Sequence, residues 1–322
     1  MNELVSIIVI TYNSEKYVLD TLKSVKEQTF RNIELIISDD CSTDNTIAVC
    51  KQWLDENEKY FVNSLLITTD KNSGIPSNCN RGAKASQGQW IKFFAGDDLL
   101  VSSYIETLLK FALRDSSNVN IICSNNYGLL NDQLLNEKSA FESTPYFFKS
   151  ITAKDQFQIA LRIAGAVPAL TIMIKRKLFY KVGGFDERYK YLEDYPFFLK
   201  INELGEKIYF TPEYLAYYRR HDGNVTREQQ YIISPVYKNL LEVRFFYCRK
   251  YLPLIEKMGV VYEYLILNFI LTLEKKYKKL SSFCHFLYRY QLFFNPFFLF
   301  RNLLKVIGRE YKYKKYLNNT AN

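Results

Sequence analysis

The sequence predicts an α/β fold, with a mostly parallel central sheet flanked by helices and an α-helical C-terminal extension. Three observations predict it. Short β-branched or aromatic runs alternate with helix-length segments over roughly the first 125 residues, the signature of βαβ units. Polar or acidic residues follow those runs, where open α/β sheets bind their ligands. From about Gln229 the pattern is almost wholly helical, so we divide the chain into residues 1–228 and 229–322.

Taken in order, Val5 to Ile10 is a buried strand, and Ser14 is the expected N-cap of a helix reaching about Gln28. Ile33 to Ile37 is a second strand ending in Ser38-Asp39-Asp40, after which Ser42 or Asp44 caps a helix to about Lys59. Leu65 to Thr68 is a third strand, Asn72 to Pro76 a loop, and Ser77 to Ser86 a helix. Trp90 to Ala95 is the fourth strand and Ser102 to Arg114 the next helix. Asn125 to Phe148 has weak periodicity and reads as loops or short strands. Then come a helix over Asp155 to Ala164, a strand over Ala169 to Lys175 and a short helix over Arg176 to Val182. Tyr195 to Glu203 is helical, and Ile208 to Phe210 and Leu215 to Arg219 are short strands.

Composition narrows the class. At 322 residues the chain can bury a sizeable core, and its 48% apolar and 24% charged content is ordinary for a globular protein. Six scattered cysteines with no C-x-x-C pair argue against a zinc site or disulfide framework and fit a reducing cytoplasm. The N-terminus lacks the layout of a signal peptide, and no run of about 18 apolar residues predicts a membrane-spanning helix. The net charge of +9 is uneven. From Lys275 onward eleven basic residues face Glu310 alone, so that segment carries +10 and the first 274 residues about −1.

Gly96-Asp97-Asp98 ends the fourth strand in adjacent carboxylates. Hard oxygen donors suit Mg²⁺ or Mn²⁺, which bind through one or two carboxylates plus substrate phosphates. Gly-Asp-Asp is also good turn chemistry, so the pair alone leaves a solvated turn open. Thr11-Tyr12-Asn13, Asp39-Asp40 and Asp97-Asp98 should share one sheet edge, a layout suited to a nucleotide. There is no G-x-G-x-x-G and no P-loop, so a metal on Asp97-Asp98 is the natural substitute for a glycine-rich phosphate cradle.

Val5-Ser6-Ile7-Ile8-Val9-Ile10-Thr11-Tyr12-Asn13 resembles the opening strand of the family 2 glycosyltransferases of the GT-A fold. Gln28-Thr29-Phe30, Ile36 to Asp44, Asn72-Ser73-Gly74, Asn80-Arg81-Gly82 and Gly96-Asp97-Asp98 continue that resemblance in order. Gly183-Gly184-Phe185-Asp186 and Glu193-Asp194 resemble its acceptor-side elements, so the resemblance covers residues 4 to 226. It implies a metal-dependent, inverting transfer from a nucleotide-sugar donor to a glycan or lipid-linked acceptor in bacterial surface-polysaccharide synthesis.

The resemblance also implies roles. Asp40 contacts the base of the donor, and Ile10, Thr11 and Tyr12 line the base pocket. Asp97 and Asp98 stand at the metal position, with Asp98 the expected direct ligand and Asp97 either sharing the metal or facing ribose or sugar. Asp194 is the general base, with Glu193 the alternative and helix capping the structural reading. His221, in a Tyr-Arg-x-His segment, completes the metal shell unless that loop is simply solvated, and Arg219 or Arg220 meets the diphosphate. Arg81 faces the phosphates or sugar, or forms a structural ion pair. One departure is Cys41, which stands where the family usually has a glycine.

Phe283 to Lys315 interleaves aromatic residues with Lys and Arg. Such a segment is expected to lie on an anionic membrane surface, here the inner face of the cell membrane; the alternatives are a cap on the catalytic domain and a homo-oligomer contact. No nucleic-acid motif accompanies the charge, so nucleic acid is not expected as a partner. Two rival functions are a catalytically silent sugar-nucleotide or glycan-binding module and a nucleotidyltransferase. The second would normally carry a Gly- and Lys-rich first loop, which Thr11 to Lys16 is not.

Overall fold

The first four apolar runs are parallel neighbours in one sheet. They are Val5–Thr11 (β1), Ile33–Asp39 (β2), Asn63–Ile67 (β3) and Trp90–Ala95 (β4), seen in a computed structural model that describes residues 3–114, 118–130, 133–135, 145–150, 152–221, 233–276, 281–296 and 299. Helices cover both faces of β1 and β2, which explains their unbroken Val/Ile runs. The connecting helices are Val18–Lys26 (α1), Thr46–Asn57 (α2) and Ile75–Ala85 (α3). Gly82 lets α3 press on β1, since a Cβ there would lie 2.3 Å from Ile8 Cγ2.

Ser14 does not cap α1 with its side chain, whereas Asp44 does accept a first-turn amide of α2. The Ser14 amide donates to Thr46 Oγ1 at 2.7 Å, which pins the first loop to the second, and α1 starts only at Val18. Neither Ser42 nor Asp44 is the residue before α2; Asp44 accepts from the amides of Thr46 (3.0 Å) and Glu15 (3.2 Å).

The sheet is parallel only in its first half. The chain continues through Leu99–Leu100 (β5), Tyr104–Arg114 (α4), Ile121–Leu130 (β6), Gln133–Leu135 (β7), Pro145–Lys149 (α5) and Ala153–Ala160 (α6). Met173–Lys175 (β8), Arg176–Val182 (α7), Asp194–Glu203 (α8) and Tyr209–Arg220 (β9) follow. The strand order is β3-β2-β1-β4-β8-β6-β9-β5, with β7 on β6. β8 is antiparallel to β4 and β6, β9 is parallel to β6, and β5 is antiparallel to β9. The expected strand at Ala169–Lys175 opens instead as a 3₁₀ turn, Ala169–Thr171. The stretch read as loops or short strands contributes to the ten-residue β6 and to β7, and two expected short strands fuse into β9. The register shifts beside Asn125, opposite Pro212 and Glu213, interrupt the period-2 pattern that would have announced both strands.

Beyond β9 lie Pro235–Phe246 (α9), Leu254–Lys276 (α10) and Ser281–Tyr290 (α11). Val243, Cys248, Leu252 and Val260 are buried in the same core as Phe197 and Leu199 of α8, and Arg162 pairs with Glu256 at 2.9 Å. The extension is therefore packed onto the sheet domain. The expected boundary at 228/229 and the tail from Phe300 lie outside the described residues.

Candidate active site

The loops after β1 and β2 interlock through Asp39. Its carboxylate accepts from Thr11 Oγ1 (2.7 Å), the Ser42 amide (2.8 Å) and Ser42 Oγ (2.6 Å). Ser42 Oγ in turn accepts from the Asn13 amide at 2.8 Å. Two residues in this turn take the left-handed conformation, Asn13 at φ 50° and Cys41 at φ 69°. Cys41 thus adopts the conformation that glycine tolerates best, held there by the hydrogen bonds around Asp39.

Asp40 faces the other way. It accepts from Ser73 Oγ (2.6 Å), the amides of Ser73 (2.9 Å) and Gly74 (2.7 Å), and Arg81 (3.0 Å). Burial by itself would raise its carboxyl, but these donors together hold it below the usual carboxylate range. Arg81 also donates to Ser38 Oγ, the Asp39 carbonyl and Asn78 Oδ1, so its guanidinium is bound into the wall behind the turn. Thr11 is buried, and Tyr12 is half exposed.

At the end of β4 the two carboxylates separate. Asp98 is buried, its Oδ1 accepting from the Arg219 amide at 2.9 Å and its carbonyl from Thr21 Oγ1 at 2.8 Å. Burial, then the neighbouring Asp97 charge, push its carboxyl well above the usual range. Asp97 is partly exposed, and its Oδ2 lies 3.0 Å from His221 Nε2. The His221 ring rests on Tyr17 at a centroid distance of 4.4 Å. The Arg219 guanidinium stands 5.0 Å from the Tyr17 ring and pairs with Asp20 at 3.0 Å.

A divalent cation fits this donor set. One carboxylate oxygen and one imidazole nitrogen, both partly exposed, offer part of a shell that substrate phosphates complete. Among the described residues no three His, Cys, Asp or Glu side chains form a closed metal cluster.

A cavity of about 200 Å³ connects this end of the site to a second pair of carboxylates. Asp98, Ile10 and Leu170 line it together with Phe185, Glu193 and Asp194. Asp194 is the first residue of α8, and its Oδ1 accepts from the Tyr195 amide at 2.6 Å. Burial pushes Glu193 up to about 8, reinforced by the Asp194 charge, and burial also raises Asp194 against the lowering effect of that amide. The Gly183-Gly184 turn, with φ of 90° and 70°, delivers Phe185 to the cavity wall. There Asn80 of α3 clasps the Phe185 backbone through two 2.9 Å hydrogen bonds.

The sequence profile described as "Glycosyl transferase family 2" matches residues 6–222. The chain belongs to glycosyl transferase family 2. It is 31% identical over 209 residues to an uncharacterized glycosyltransferase of Haemophilus influenzae, an alignment covering 65% of this chain and 64% of that one. A putative teichuronic acid biosynthesis glycosyltransferase, TuaG of Bacillus subtilis, is 34% identical over 113 residues, 35% of this chain and 43% of that one. The crystal structure of S. aureus TarS 1-349 in complex with UDP-GlcNAc superposes with a TM-score of 0.59 at 20% identity, covering 82% of this chain and 72% of that chain. That likeness is one of fold, the GT-A arrangement expected from the sequence.

Within this family 2 site the structure brings together Ile10, Asp98, Glu193 and Asp194 around one cavity, and separately pairs Asp97 with His221. Asp40 and Arg81 pair with each other on the far side of the β2 turn. Sequence reading gave Asn80 no role beyond its place in the Asn80-Arg81-Gly82 motif, whereas its side chain spans 105 residues to Phe185. It also passed over the Ala169–Ile172 wall, which carries only apolar residues and Thr171 and so gives no chemical signal.

Proposed function

We propose that the chain is a metal-dependent, inverting glycosyltransferase acting on a nucleoside-diphosphate sugar, with UDP-sugars the first donor class to test. The observation that carries this reading is one cavity lined by Asp98, Glu193 and Asp194, with the Asp97–His221 pair formed by the residue next to Asp98. Asp97 and His221 would hold the divalent ion, with Asp98 fixing the strand end behind them. When bound, that ion neutralises charge developing on the diphosphate leaving group. The Asp39 turn and the Asp40–Arg81 pair shape the base pocket beside Tyr12. Asp194, which lines the same cavity as Asp98, accepts the proton of the attacking hydroxyl, the role of the one base that single displacement with inversion requires. Likeness to a protein named for teichuronic acid biosynthesis supports a glycan or lipid-linked acceptor in surface-polysaccharide synthesis.

The test is a screen of UDP-, GDP- and dTDP-sugars for nucleoside diphosphate release, with Mn²⁺ and with EDTA. Release from one donor in Mn²⁺ and none in EDTA is expected. Tight donor binding without release would favour the silent binding module, and release indifferent to EDTA would remove the metal.

The same reading places the chain on the inner face of the cell membrane. Phe283, Phe286, Tyr290 and Phe293 recur along one side of α11 and the turn after it, and are 41–57% exposed. Their rings touch in sequence, Phe286 to Tyr290 at 4.7 Å and Tyr290 to Phe293 at 6.2 Å. Lys275, Lys276 and Arg289 flank this stripe, the pattern of a helix lying in an anionic interface. Among the described residues no helix is long and apolar enough to cross a membrane.

A further inference from the structure

Lys92 sits in the middle of β4 with its side chain fully buried. Its Nζ donates to the carbonyl of Leu170, and the rings of Phe94 and Tyr104 each stand 5.1 Å away. Among the described residues no carboxylate forms an ion pair with it, and Asp98 acts on it only through space. Tyr104, also fully buried, opens α4 and donates its hydroxyl to the carbonyl of Thr171 at 2.9 Å. Thr171 Oγ1 completes the fastening, donating to the Ser124 carbonyl (2.6 Å) and accepting from the Ser124 amide (3.1 Å). Consecutive carbonyls of one 3₁₀ turn are therefore gripped by buried side chains from β4 and α4.

A buried ammonium with one acceptor and two ring faces is an expensive way to fill a core. An apolar side chain of similar length would fill the same space without that desolvation cost, so packing alone does not account for Lys92. The turn it grips does bear on the site. Ala169, Leu170 and Ile172 line the cavity that holds Asp98, Glu193 and Asp194, whereas Lys92 and Tyr104 do not reach it.

We propose that Lys92 and Tyr104 are positioning residues that fix the Ala169–Ile172 wall against the transferred sugar and so set which sugar the cavity admits. This rests on the glycosyltransferase reading of the cavity. The ammonium and the phenol hold two adjacent peptide carbonyls, which leaves the turn no freedom to tilt toward or away from Asp98. A fixed apolar wall discriminates by the substituents a sugar carries, because an added group must find room there.

The test uses the full chain carrying Lys92→Met, Tyr104→Phe and both together. Hydrogen exchange followed by mass spectrometry should show amides of residues 169–172 exchanging about fivefold or more faster in each variant, with those of β1 and β2 unchanged. Nucleoside diphosphate release from UDP-GlcNAc and UDP-glucose should show their kcat/KM ratio shifting by roughly tenfold, through KM more than kcat. Tyr104→Phe removes one oxygen only and serves if Lys92→Met fails to fold. Unchanged exchange at 169–172 in either folded variant overturns the proposal, as does a fall in kcat with the donor ratio preserved. Faster exchange in a chain that releases no diphosphate from any donor supports the clamp and overturns the glycosyltransferase reading instead.

Discussion

His221 Nε2 lies 3.0 Å from Asp97 Oδ2 across 124 residues of chain, and this contact ties the end of β9 to the end of β4. Asp98, the residue next door, spends its Oδ1 on the Arg219 amide. If Asp97 and His221 hold the cation, His221→Ala and Asp97→Ala should each raise the Mn²⁺ concentration for half-maximal diphosphate release by about tenfold or more. A Mn²⁺ titration of release checks this. An unchanged midpoint in both variants would move the metal to Asp98.

Asp194→Asn keeps an acceptor for the Tyr195 amide and so should fold normally. Transfer should fall by roughly 10²–10⁴, the usual contribution of a positioned base, while donor affinity by calorimetry stays the same. Retained turnover would pass the role to Glu193.

Glu193 titrates near 8 in the fold against an ordinary 4.5, with burial the main cause. Between those values the folded chain holds a proton that the unfolded chain has released. The group's contribution to stability is therefore full below about pH 4.5 and is lost as pH rises through about 8. Glu193→Gln stays neutral throughout, so its Tm relative to the parent should climb between about pH 5 and pH 8. A difference that stays flat or falls contradicts the burial argument.

Cys41 occupies φ 69° where glycine would be unstrained. Relief of the left-handed strain should outweigh the added freedom of the unfolded chain, so Cys41→Gly should stabilise by about 0.5–1 kcal/mol in urea unfolding. A loss of similar size would mean that contacts of the thiol outweigh the backbone strain.

Removing two rings from the α11 stripe, as Phe286→Ser with Phe293→Ser, should lower binding to anionic phosphatidylglycerol vesicles by tenfold or more, given about 1.5–3 kcal/mol per buried Phe. Binding of the parent should also weaken with added salt. Vesicle binding indifferent to both changes, or a dimer in sedimentation that the double variant dissolves, would turn the stripe into a protein contact.

Much of the site was legible in the sequence because its signals are local. Asp39-Asp40, Asp97-Asp98 and Glu193-Asp194 each lie at an end of a strand or helix, and periodicity alone marks those ends. Within each pair the division of labour was not legible. Asp39 is spent on its own turn while Asp40 reaches Ser73 and Arg81, and the difference lies in which donors surround each carboxylate. Lys92 looked like any lysine in an aromatic strand, and only its neighbours make it a buried clamp.

By itself the sequence determined the four parallel strands of the first half and the helices between them, the residue types at their ends, the helical extension and the family, since backbone preference and hydrophobic period act over a few residues. Only the tertiary structure decided the mixed order of the second half of the sheet, the pairing of β6 with β9, and the choice of Asp97 over Asp98 as the partner of His221. Those outcomes depend on register between segments far apart in the chain, where a shift of one residue turns a side chain to the opposite face.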